Sequence, residues 1–133
     1  MARGKAKGSA QSPEAERMQL AIAEIAAESW RYRLALKKAL KKMDVMDAER
    51  FSRQYDYFAD RVNQAIATAD LRELDLSGQP YSVGLPVQAI NIEEFDEDEA
   101  LVITQTIEPV IMMAGRVQRI GMVMVDRIHD TEE

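Results

Sequence analysis

Gly115-Arg116-Val117-Gln118-Arg119-Ile120-Gly121-Met122-Val123-Met124-Val125 is the last apolar run of the chain, and it sets two arginines three residues apart directly ahead of a β-rich segment. A basic pair on a small β-domain suggests a docking surface. Upstream, two segments keep their apolar residues at heptad spacing, so the chain reads as α+β, a helical stalk or bundle carrying a small β head. That arrangement predicts partner binding and not catalysis.

The first helix opens at Ser12-Pro13-Glu14: a cap acceptor, a proline at the first helical position where its missing N–H costs nothing, and an acid facing the positive helix end. From there Met18, Ile22, Ile25, Ser29, Tyr32, Leu36, Ala39 and Met43 alternate steps of four and three, which keeps one seam against a partner helix. A second stripe, through Leu20, Ala27, Trp30, Leu34 and Leu40, implies more than one neighbouring helix, as in a bundle. Lys37, Lys38, Lys41 and Lys42 lie in the last turns, where cations complement the negative helix end, and read as a solvated face. The phase breaks between Met43 and Ala48, where Asp44 and Asp47 offer capping oxygens. Ala48, Phe51, Tyr55, Phe58, Val62, Ala65 and Ala69 then form a second heptad seam. Spacing alone leaves open a hairpin or one bent rod.

Helices are therefore expected near 13 to 43 and 47 to 73, inside a helical dimerisation region over 12–74. A chain of 133 residues so divided has little core in either half. The seam of Met18, Ile22, Ile25, Tyr32, Leu36, Met43, Phe51, Tyr55, Phe58 and Val62 is expected to close in a homodimeric coiled coil or helical bundle, its direction open.

Leu76-Ser77-Gly78-Gln79-Pro80 is a cluster of helix breakers, and beyond it the apolar period changes to two. Tyr81, Val83 and Leu85 alternate, Pro86 interrupts, and Val87, Ala89, Ile90 and Ile92 follow as short strands. Glu93 to Glu99 carries six acids in seven residues around Phe95. A calcium loop would need a central glycine and a defined oxygen spacing that this segment lacks, so a solvated loop with Phe95 tucked inward is expected. Strand-like runs resume over Leu101 to Ile107 and Val110 to Met113, with Pro109 at a strand end or edge, turn at Ala114-Gly115, and finish over Val117 to Ile128. The small β domain is expected over 78–128, between a disordered basic tail at 1–11 and an acidic tail at 129–133.

Composition limits the chemistry. A net charge of −6 argues against a general nucleic-acid binder, and the three cations of the first eleven residues hold little phosphate at physiological salt. With no cysteine there is no disulfide, thiolate nucleophile or cysteine-based metal site, and the single histidine, His129, reads as a solvated tail residue. Carboxylates are abundant, but no pair with contrasting environments, phosphate loop or nucleophile triad stands out, so no enzymatic activity, cofactor or metal is expected. No apolar run has the length of a membrane span or of a signal-peptide core, which predicts a cytoplasmic protein with neither membrane nor nucleic acid as partner.

The C-terminal run resembles the β wing of GrpE, the nucleotide exchange factor of DnaK-type heat-shock ATPases. That family carries a Gly-Arg-x-x-Arg-x-x-Met-Val-x-Val run after a short apolar strand, matched here without a gap by Gly115, Arg116, Arg119, Met122, Val123 and Val125. The order of parts is similar too: basic tail, long heptad helix, shorter helix, compact β head. The chain departs from the family at Val110-Ile111, where a Gly-Tyr pair is usual, and in its shorter helical part. The resemblance implies a homodimeric co-chaperone, without a cofactor, that binds a DnaK-type chaperone and promotes ADP release. It implies that Arg116 contacts the ATPase domain, with Ile107 as an apolar neighbour and Arg119 in a partner-facing or structural role. Two other readings remain open. One is a dimeric adaptor whose β head binds an unrelated protein, with the arginines guarding a sheet edge. The other is a nucleic-acid accessory working through the basic tail.

Overall fold

A computed structural model of the chain describes residues 12–128. Its architecture is α+β, two helices followed by six short strands. Helix α1 spans Pro13–Leu40 and α2 spans Val45–Thr68. Both starts follow from local chemistry. The Ser12 hydroxyl accepts from the Ala15 N–H at 3.0 Å, and the Asp44 carboxylate accepts from the Asp47 N–H at 2.9 Å. Only residues 41–44 separate the helices, and pairs such as Tyr32 with Phe58 place them side by side as a hairpin.

The second helix is shorter than its sequence suggests. It ends at Thr68, and Asp70, at φ +60°, turns the chain out of the helical path. Leu71–Leu74, expected to be helical, forms strand β1. The tetrad has helix-compatible residues, but backbone pairing to a distant strand outweighs local propensity. Strand β2 is Val87–Ala89, β3 Leu101–Glu108, β4 Val110–Met113, β5 Arg116–Arg119 and β6 Gly121–Arg127. The segment from Tyr81 to Leu85, expected as strand, is a loop, and Ile92 opens a short 3₁₀ turn over Ile92–Glu94.

The strands make two sheets. In one, β4 lies between β1 and β5, both antiparallel to it. In the other, β6 lies between β2, which is parallel, and β3, which is antiparallel. The β3 edge is covered by the loop after β1: Gly78 and Tyr81 donate to the carbonyls of Ile103 and Leu101, and Ile103 donates back to Gln79. Only Pro109, buried at the strand end, separates β3 from β4, so the chain steps from one sheet to the other within one residue. Gly121 lies at this step. A Cβ there would come within 2.9 Å of the Glu108 carbonyl oxygen, so only glycine fits.

One core fills the β2-β6-β3 sheet with Ala89, Leu101, Ile103, Val123 and Val125, covered by Tyr81, Leu85 and Phe95. A second joins Ala23 and Ala26 of α1 to Leu71 and Ile111, with Ile66, Ala69 and Met113 packed around it. This second core corrects the picture of a stalk carrying a separate head. The buried stripe of α1 is Ala23, Ala26 and Ala27, and its core is shared by sheet residues Leu71 and Ile111 as well as by Ile66 of α2. Small residues let the helix backbone approach the strands closely, and the Trp30 indole N–H then reaches the Thr106 carbonyl at 3.2 Å.

Candidate partner-binding surface

β4 and β5 meet in a two-residue turn, Ala114-Gly115, with φ of +53° and +76°. Two consecutive positive φ values are the mark of the tight hairpin turn that matches strand twist. The turn puts Arg116 opposite Met113 at the hairpin tip, where it is exposed. Arg116 lines a shallow depression with Met18, Gln19 and Ile22 of α1 and Asp70 at the end of α2.

Arg119 lies in different surroundings. Its Nη1 donates to Glu108 Oε1, and its Nε donates to Glu24 Oε1 at 3.3 Å. The hydrogen bond to Glu108 is the main cause of a raised guanidinium pKa, against the opposing effect of desolvation. The second oxygen of Glu108 accepts from Arg31 Nη1 at 3.1 Å. Glu108 has only 3% of its side chain exposed, so two guanidinium groups satisfy a buried carboxylate and tie β3, β5 and α1 together. Arg33 makes a comparable tie from α1 to Glu73 on β1, both oxygens at 3.3 Å. Burial raises the Glu73 pKa despite the Arg33 charge.

Ile107 is not brought to Arg116. It lines a separate depression with Arg31, Leu34 and Lys38, at the opposite stretch of α1 from Met18 and Ile22. Arg116 and Ile107 thus border different depressions of the surface.

The seam residues do face one another along the hairpin, and they leave it open. Tyr32, Leu36 and Met43 border a groove of about 290 Å³ with Phe51, Tyr55 and Phe58, where the Tyr32 and Phe58 rings meet edge to face at 6.4 Å. Ile22 and Ile25 border a second of about 190 Å³ with Phe58 and Val62. Met18, Ile25 and Tyr32 remain 60–68% exposed, and α2 has no buried residue. The seam is thus not a closed core within one chain.

In the acid loop, Phe95 packs on the β2-β6-β3 core and Arg127 lies over its ring, 5.1 Å from the centroid. The Glu99 pKa is lowered, chiefly by the Asp96 backbone N–H and then by Arg127. Among the described residues no group of three or more acids or histidines is arranged to hold a metal ion, and His129 and both tails lie outside them. No helix among them is long and apolar enough to cross a membrane. Comparisons with family models, curated proteins and solved structures returned no match to this chain. The residues that sequence reading missed are Glu108, Glu24, Arg31 and the Arg33–Glu73 pair. Glu108 had one signal, a lone acid closing an otherwise apolar and polar-neutral strand immediately before Pro109.

Proposed function

We propose that this chain is a GrpE-like co-chaperone, acting in the cytoplasm as a homodimer, that binds a DnaK-type ATPase through the β4–β5 hairpin and promotes ADP release. The observation that carries this reading is the division between the two arginines of the Gly115–Val125 run. Arg119 is occupied inside the chain by Glu108 and Glu24, whereas Arg116 stands exposed at the turn, with no ion pair among the described residues. A planar guanidinium so presented suits bidentate pairing with a carboxylate of the partner.

The mechanism is differential affinity. A hairpin that binds the open nucleotide cleft more tightly than the closed one shifts the population toward open, and the nucleotide leaves. A preference of about 2.8 kcal/mol corresponds to a roughly hundredfold shift. No bond is made or broken by this chain. A second reading, a dimeric adaptor without exchange activity, draws on the open apolar seam of the helices, which asks for a protein surface regardless of what the β hairpin does.

Stopped-flow release of fluorescent ADP from a DnaK-type chaperone separates the two. The co-chaperone reading expects acceleration that Arg116→Ala largely removes while the circular dichroism spectrum is unchanged. No acceleration across several such chaperones, from a protein that is dimeric by light scattering, would replace it with the adaptor.

A further inference from the structure

The far end of the helical hairpin combines two features that the co-chaperone reading does not use. Val45 and Met46, the first two residues of α2, are 81% and 80% exposed, among the most exposed large apolar side chains in the described chain. Beside them Lys37, Lys38, Lys41 and Lys42 are all exposed on the last turn of α1 and the residues just after it. Residues 37 to 53 hold six cationic and three acidic side chains in a chain whose net charge is −6, so positive charge is concentrated at this tip. Two of those acids are engaged locally: Asp44 caps α2, and Asp47 pairs with Arg50 at 3.3 Å.

The tip is also accessible. The hydrogen bonds and ion pairs that residues 41–50 make among the described residues stay within the hairpin. The depression formed by α1 with Gln105 and Ile107 takes in Lys38 and no residue of the turn. The acid loop at 93–99 lies at the start of β3, while α1 packs on the end of that strand through Trp30 and Arg31.

We propose that this tip docks on an anionic lipid surface, with Val45 and Met46 entering the headgroup boundary and the four lysines pairing with lipid phosphates. Charge complementarity selects anionic over neutral lipid, because each lysine near such a surface adds affinity that salt screens. The adjacent apolar pair favours lipid over nucleic acid, whose phosphate backbone offers no apolar medium in which Val45 and Met46 would be withdrawn from water. On this proposal the lysines do more than match the helix dipole, and a membrane surface joins the partners to be tested. The contact is peripheral and reversible, as no span is involved.

Flotation of the full chain with phosphatidylcholine vesicles, with and without phosphatidylglycerol, tests this. The expected result is flotation with the anionic vesicles only, weakened by added salt. Replacing all four lysines by glutamine should cut binding at least about tenfold, and Val45→Ser with Met46→Ser should cut it about tenfold at unchanged charge. All six side chains are exposed, so a circular dichroism spectrum like that of the parent is expected from both variants. Absence of flotation, equal flotation with neutral vesicles, or full binding by the serine variant would each overturn the proposal. Binding to a single-stranded oligonucleotide that the serine variant retains, without flotation, would assign the patch to nucleic acid instead.

Discussion

Glu108 is the carboxylate on which the geometry of the β hairpin turns. It is buried, it accepts from Arg31 on one oxygen and Arg119 on the other, and Arg119 reaches on to Glu24. Truncation leaves two guanidinium groups without their buried partner, so Glu108→Ala is expected to lower stability by about 2–3 kcal/mol, read from urea denaturation. A loss below about 1 kcal/mol would show that the cluster is dispensable. Glu73 supplies a pH test. Its folded pKa is raised, first by burial, with Arg33 opposing. A carboxyl raised on folding favours the native state when protonated, and that advantage is lost as pH rises through the folded pKa. The stability of the parent relative to Glu73→Gln should therefore fall as pH climbs from below the ordinary carboxylate value of 4.5 through the higher folded one. Urea midpoints for both proteins across that window check the sign. Asp75 behaves oppositely: burial alone would raise its pKa, but the Ser77 backbone N–H and the Thr106 and Ser77 hydroxyls outweigh it and lower it.

Among the elements, the start of α1 was legible to the residue because caps are local, while α2, expected from 47, starts at Val45 behind one of the two capping aspartates the sequence offered. Ser12 and Asp44 do what a serine before proline and an aspartate at a phase break should do. The end of α2 was not legible, because Leu71-Arg72-Glu73-Leu74 differs from a helical turn only through its pairing with Val110–Met113, some forty residues on. The second stripe of α1 was seen through Ala27, Trp30 and Leu34, but a stripe records that a neighbour exists and not whether it is helix or sheet. The hairpin turn at Ala114-Gly115 was found from the glycine, and the arginines beside it were found with it. What separates Arg116 from Arg119 is a carboxylate on another strand, which no local pattern encodes. Gly121 lies hard against the backbone of the β3–β4 step. Gly121→Ala should cost about 2 kcal/mol or more, because the new methyl meets the backbone of Glu108, Pro109 and Val110 and no flexible side chain that can yield. Thermal melts would show it, and an unchanged midpoint would mean that β6 can slide.

For the whole molecule, the open seam is the largest unfinished feature. Sequence spacing announced a partner for Met18, Ile25 and Tyr32, and one chain supplies α2 without covering them. If a second copy does so, Ile25→Glu combined with Tyr32→Glu should give a monomer by light scattering at concentrations where the parent is a dimer, with helix content retained. A parent that is itself monomeric would remove the homodimer from the proposal. The way the two sheets interleave along the chain also acts in time. β1 follows the helices at once, but its neighbour β4 comes only after β2 and β3, and β6, the central strand of the other sheet, comes after β5. On a ribosome the helices therefore emerge long before Ile111 exists to cover Ala23 and Ala26, and the β2-β6-β3 sheet cannot close until Gly121–Arg127 has left the exit tunnel. Until then the nascent chain carries the Ala23 and Ala26 face of α1 without its sheet neighbours.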